Sequence, residues 1–116
     1  MMDEIEALAG RHWVLDGHRA VRATLHEWGR MFDTPDARTV AKDEIGQWSV
    51  STVFLGVDHR MGEPGPPLLF ETMIFSAHDP RHENDESTWR YSTWEQAEDG
   101  HRRVSDAIRS GADLPE

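Results

Sequence analysis

The sequence predicts an α+β domain with an antiparallel sheet of about four to six strands. Two apolar runs, residues 48–57 and 68–76, flank a loop rich in glycine and proline, which indicates a central β-hairpin. Both faces of these strands are apolar, so we expect helices or a second protomer to cover both sides. Capping-box patterns predict two of those helices, near residues 25–32 and 93–109.

The N-terminal part predicts a short helix followed by a small hairpin. Residues 1–10 carry apolar side chains at helical spacing, so we expect a helix there that frays. The runs 12–15 and 18–22 flank Asp16-Gly17, a dipeptide that favours a tight turn between strands. The length of the chain fits a single domain over residues 1–116, with 111–116 as a tail.

The middle of the chain predicts a helix and then an edge strand. Thr24 and Glu27 form a capping box, and the helix that they open ends before Asp33-Thr-Pro-Asp36. Residues 38–44 are polar and weakly alternating, which is typical of an edge strand facing solvent. Gly46-Gln47 would turn this strand back into the central hairpin.

The C-terminal part predicts one more strand and the longest helix. Residues 88–91 have the composition of a strand, and Ser92 and Glu95 form a second capping box. Gly100 lies in the middle of this helix, where glycine is unfavourable, so we expect a close backbone contact. The inner face of the helix is predicted to carry five side chains: Trp94, Ala97, His101, Val104 and Ile108.

Composition limits the functional classes. The chain has no cysteine, so disulfides and thiolate metal sites are excluded. Its formal charge of −10 disfavours direct nucleic-acid binding and suits a cationic ligand, a basic protein or mimicry of DNA, although solubility alone also explains it. No apolar run is long enough for a membrane span and no signal-peptide pattern is present, so we expect a cytoplasmic protein.

Three long strings also resemble a known family. They are VSTVFLGVDH at Val50–His59, PPLLFETMIF at Pro66–Phe75 and YSTWEQAEDGH at Tyr91–His101, and VLDGH at Val14–His18 accompanies them. They resemble small proteins of tailed bacteriophages, particularly those of actinobacteria, and of prophages, a family with no assigned function. The resemblance implies a viral accessory protein that acts in a bacterial cytoplasm. It implies no activity.

Glu71 is the first candidate for a functional side chain. It lies in an apolar strand that we expect to be covered, and a buried carboxylate needs a partner or a raised pKa. Symmetric pairing about the loop would place it opposite Leu55. Its candidate partners are His59, Arg60, Arg90 and His101. An internal salt bridge or exposure at a sheet edge is the simpler interpretation.

Asp58 and His59 follow the first central strand at the entrance to the loop. His59 could act as a general base oriented by Asp58 or Glu71, or Asp58 could cap the turn while His59 is merely exposed. His101 lies on an apolar helix face, where a histidine is usually a satisfied core group. The candidate ligand-binding residues are Asp58, His59, Glu71, Arg90, Tyr91, Trp48 and His101.

No cofactor motif is present, and we predict no metal site. His78, Asp79, His82 and Glu83 contain a pair of histidines four residues apart, but Pro80 argues against the helix that such a pair requires. We therefore expect a binding module for a host protein or a small ligand, with counter-defence as one such role and a homodimer as an open alternative. The alternatives are an acid/base or metal-assisted hydrolase that uses Glu71, His59 and Asp58, and an acidic DNA mimic.

Overall fold

The computed structural model describes residues 11–60, 62–76 and 87–116, and it confirms the α+β class. The described chain forms a two-stranded antiparallel sheet, a four-stranded antiparallel sheet and three helices. The helix expected over residues 1–10 and the segment 78–83 lie outside the described residues. The elements are β1 (His12–Asp16), β2 (Arg19–Ala23), α1 (Leu25–Met31), α2 (Pro35–Arg38), β3 (Thr39–Ile45), β4 (Trp48–Phe54), β5 (Phe70–Ser76), β6 (Thr88–Tyr91) and α3 (Trp94–Ser110).

The larger sheet is an antiparallel meander in the order β3-β4-β5-β6. In its centre Thr52 pairs with Thr72, and Val53 pairs with Glu71. The expected pairing of Glu71 with Leu55 is therefore wrong. The ladder ends at the pair of Phe54 and Phe70, and beyond it the backbone amides of Leu55 and Gly56 both donate to the carbonyl of Leu69, at 2.7 and 3.4 Å. This bulge removes the symmetry on which the expected register depended.

Helix α3 packs on one face of the larger sheet and contacts all four strands. Its buried residues are Ala97, His101, Val104, Ser105 and Ala107. The helix begins one residue later than expected, because the capping box is formed by Thr93 and Gln96 and not by Ser92 and Glu95. It ends at Gly111, whose φ of 72° supplies the left-handed cap. Opposite it, Val50, Thr52 and Phe54 are fully buried, as their alternation predicts.

The other face of the larger sheet is half-buried. It carries Ser51, Val53 and Met73, and no helix of the described chain packs on it. Of the two helices expected to cover the central sheet, α3 does so, whereas α1 packs mainly on β1 and β2, so the expected cover of the second face by a helix or a second protomer stays a prediction. The β1–β2 hairpin has an apolar face of its own to bury, and α1 supplies its cover. A hydrogen bond of 3.1 Å from the Trp28 indole to the Leu55 carbonyl joins α1 to the end of the central sheet.

The two sheets meet around a core cluster formed by Phe54, Leu69, Phe70 and Ala97. Trp13 and Leu15 of β1 pack against this cluster from the hairpin, and Trp94 packs against it from the start of α3. The hairpin turn, which consists of Gly17 and His18 and not of the expected Asp16-Gly17, is thereby held close to the beginning of α3.

Candidate functional site

The seven candidate residues from the sequence do not form one site, although two of them, Glu71 and Arg90, are paired. Asp58 caps the loop: one carboxylate oxygen, Oδ1, accepts from the backbone amides of Arg60 and Leu68, at 3.0 and 2.9 Å. The Nδ1 atom of His59 lies 2.8 Å from the carbonyl oxygen of Val57, two residues earlier in the chain. Both side chains therefore shape the loop, and no hydrogen bond or ion pair joins either of them to Glu71 within the described chain.

Glu71 is paired with Arg90, which lies directly opposite it on β6. The Arg90 Nε atom donates to the Glu71 Oε2 atom at 3.0 Å. The glutamate side chain is 12 % exposed and the arginine side chain 41 %, so the pair lies at the surface of the half-buried sheet face. This geometry corresponds to the internal salt bridge that was the simpler interpretation of Glu71.

His101 belongs to a line of hydrogen bonds beneath α3, which we call the polar chain and define as Asp43, His101, Thr52 and Thr72. The His101 Nε2 atom lies 2.7 Å from Asp43 Oδ2, and its Nδ1 atom lies 2.7 Å from Thr52 Oγ1. The two threonine hydroxyls are 2.6 Å apart. When the imidazole is neutral, an ionised Asp43 requires the proton on Nε2, so Nδ1 accepts from Thr52, which in turn accepts from Thr72.

Asp43 is the most exposed member of the polar chain, with 36 % of its side chain accessible. The hydrogen bond from His101 is the main reason why the pKa of Asp43 lies below its usual range. Ser105 donates to the same carboxylate at 3.2 Å, and an Arg109 nitrogen lies 3.3 Å from its other oxygen. The carboxylate opens on a shallow groove of about 440 Å3 along α3.

The order hydroxyl, imidazole and carboxylate is that of a nucleophilic triad, but the hydroxyl is inaccessible. Thr52 has no exposed surface and lies in the middle of β4 under α3. A nucleophile must reach a substrate carbonyl, and triad enzymes place it at a sharp exposed turn. The polar chain therefore satisfies buried polar groups between the helix and the sheet, which is the role that an apolar helix face predicts for His101.

Tyr91 lies beside the polar chain, whereas Trp48 lies away from it. The Tyr91 ring packs against Gly100 of α3, which confirms the close backbone contact expected there. Its hydroxyl faces Thr72 without hydrogen-bond geometry, and burial raises the pKa of the phenol. Trp48 is at the start of β4, 38 % exposed and paired with Ile45 and Ser76.

A concave surface that the sequence did not indicate lies between the β1–β2 turn and the start of α3. We call it the Trp94 cleft; its volume is about 450 Å3. The His18 imidazole stacks on the Trp94 indole with a centroid separation of 3.9 Å and an interplanar angle of 5°. Phe70 is fully buried beneath the cleft and meets the indole edge-on. The polar lining comes from Asp16, His18, Arg19, Ser92, Thr93 and Glu95.

Metal and membrane features can be assessed for the described part of the chain. Within residues 11–60, 62–76 and 87–116, no three side chains of histidine, aspartate or glutamate are grouped closely enough to hold a metal ion. Over the same residues, no helix combines the length and the apolar character that crossing a bilayer requires. The segment His78–Glu83 lies outside this part.

The comparisons with known proteins return no relative. No protein-family model matches the chain, and neither the curated proteins nor the solved structures include a significant match. Any functional argument therefore depends on the residues of this chain and on their geometry.

Proposed function

We propose that this chain is a binding module that holds a host protein or a small ligand in a bacterial cytoplasm, as a phage accessory protein in counter-defence. The observation that carries the proposal is the Trp94 cleft. Its volume of about 450 Å3 falls within the range of ordinary ligand sites. It also places the Trp94 indole among polar and charged side chains, six of its nine lining residues, which suits a flat polar or charged ligand.

The hydrolase alternative finds less support in the described residues. Its three candidate groups have structural partners: Glu71 pairs with Arg90, Asp58 accepts two backbone amides, and His59 contacts a carbonyl. A catalytic acid/base set also needs its members within hydrogen-bond reach of one another, and no hydrogen bond or ion pair joins Glu71 to Asp58 or His59 within the described residues. None of these groups faces the Trp94 cleft, whose lining comes from β1, β2, β5 and α3 and from the residues that precede α3.

The DNA-mimic alternative requires carboxylates in continuous rows that resemble phosphates. On α3 the acids alternate with arginines: Asp99 pairs with Arg102, and Asp106 with Arg109, one turn apart in each case. Such pairs neutralise the helix surface locally, so the surface of α3 does not favour DNA mimicry.

Native mass spectrometry of the protein purified from a bacterial host tests the proposal. We expect a mass increment that denaturation releases as an intact small molecule or a protein, and the same spectrum reports whether a homodimer forms. Turnover of the released molecule, abolished by Glu71→Gln or His59→Ala, would instead establish the hydrolase. Trp48→Phe is the control and should leave the mass increment unchanged, since Trp48 lies outside the Trp94 cleft.

A further inference from the structure

The Trp94 indole already holds a flat heteroaromatic ring. The stacked His18 imidazole is nearly parallel to it, at 3.9 Å between centroids. His18 is exposed and lies in a two-residue turn beside Gly17, whose φ is 63°. Removing the imidazole from the indole therefore requires a change at an exposed turn and not in the core.

The charges around the Trp94 indole indicate what kind of ring would replace the His18 imidazole on it. Asp16 and Glu95 line the cleft, against Arg19 as the one permanently charged cation in its lining. The whole chain carries a formal charge of −10, which repels phosphates and carboxylates. The face of an indole attracts cations through its quadrupole.

We infer that the Trp94 cleft binds a flat, cationic heteroaromatic ring that stacks on Trp94 in the place of His18. The inference rests on the proposed binding function and names the ligand class. His18 then acts as an internal competitor that covers the indole when no ligand is present. An aromatic stack contributes enough that its removal should tighten ligand binding about two- to tenfold.

Three ring compounds of matched shape test the inference: 1-methylnicotinamide, nicotinamide and nicotinate, which are cationic, neutral and anionic. Binding is measured by NMR titration of the tryptophan indole N–H resonances, with Trp94→Phe used to assign the signal of Trp94. We expect the cation to bind about two- to fivefold more tightly than the neutral ring, and the anion to bind most weakly. The Trp94 resonance should shift most.

Variants separate the role of each ring. His18→Ala should tighten binding of 1-methylnicotinamide, Trp94→Phe should weaken it, and Trp48→Phe should leave it unchanged. Circular dichroism and thermal unfolding verify that each variant is folded. Weaker binding by His18→Ala would make His18 a ligand contact and overturn the competitor role. Equal binding of the three compounds, or an unchanged affinity in Trp94→Phe, would overturn the ring assignment.

The inference and the proposed function can fail separately. If none of the three compounds binds but native mass spectrometry finds a released ligand or protein, the ring assignment is wrong and the binding function stands. If the compounds do not bind and no increment is found, both are wrong.

Discussion

Gly100→Ala should destabilise the protein although alanine is the better helix former. In an exposed helix interior this substitution stabilises by up to about 1 kcal/mol. At Gly100, however, an added Cβ would overlap the Tyr91 hydroxyl and two of its ring carbons. An aromatic ring in a packed site cannot rotate away as a flexible side chain could. Overpacking of this kind costs about 1–3 kcal/mol, and the rigidity of the obstacle argues for the upper part of that range.

We therefore expect a net loss of about 1–2 kcal/mol in the free energy of unfolding for Gly100→Ala. Gly29→Ala in α1 is the matched control. Gly29 also lies in a helix, but it is exposed, and an added Cβ there would meet no atom within 4 Å. That variant should be as stable as the wild type or more stable, by up to about 1 kcal/mol. Urea unfolding followed by tryptophan fluorescence measures both variants.

The same measurement in a Tyr91→Leu background isolates the contact. Leucine lacks the ring that the new methyl group would overlap, so the cost of Gly100→Ala should shrink there, which appears as a coupling free energy between the two sites. If Gly100→Ala is as stable as the wild type, or if its cost is the same in both backgrounds, the steric reasoning is refuted.

Substitutions at three further residues have defined outcomes. The pKa of Asp43 lies below its usual 3.8, mainly through His101, so this carboxylate stabilises the fold above that value and the effect is lost as the pH falls through the lower folded value. When the pH is lowered from about 5 to about 2, the urea concentration at the midpoint of unfolding should accordingly fall less steeply for Asp43→Asn than for the wild type. Glu71→Gln should lower the free energy of unfolding by about 1 kcal/mol in urea, because the Arg90 side chain is 41 % exposed and water can solvate it once its partner is neutral. A loss above about 3 kcal/mol is the cost of an unpaired buried charge and would contradict this access to water. Asp58→Ala should cost about 1–2 kcal/mol in the same assay, whereas Asp58→Asn keeps an oxygen acceptor and should cost much less; equal losses would refute the capping role.

Local patterns account for most of the fold that the sequence predicts. The alternation of Val50, Thr52 and Phe54 correctly assigns the buried face of β4, because side-chain direction in a strand has a period of two residues. The capping box of Thr24 and Glu27 is present as predicted, since its two hydrogen bonds lie within one helical turn. The turn at Gly46 also agrees, and its φ of 59° explains the need for glycine.

The errors concern contacts between distant parts of the chain. The register of Glu71 depends on a bulge at Leu55 and Gly56. The Gly56 carbonyl accepts from the Trp13 amide at 2.8 Å, and the Trp28 ring leaves no room for a Cβ at this position. Those two tryptophans belong to other elements, so no local pattern near Glu71 reports the shift.

The candidate site also differs from the one predicted, because its contacts join distant parts of the chain. His101 could be recognised as a buried histidine, but its partners Thr52 and Asp43 lie on two other strands. Thr52 itself was a usable signal, because a polar residue on the inner face of β4 requires a partner on the helix that covers it. His18 and Trp94 carry no such signal, since their stack exists only after the hairpin and α3 have packed together.

The polar chain also explains how α3 adopts a single position on the sheet. Apart from Trp94 at its start, its buried apolar side chains are small or medium in size, Ala97, Val104 and Ala107, and they alone would tolerate a slide along the strands. A slide by one turn, about 5.4 Å, would bring Ala97 or Ser105 opposite Thr52. Alanine cannot bond to the threonine and serine is too short to reach both neighbours, so Thr52 or Asp43 would lose its partner. His101 spans from Asp43 on one strand to Thr52 on the next, so the hydrogen bonds of the polar chain fix the register of this helix together with the packing of Trp94 and the contact of Tyr91 with Gly100.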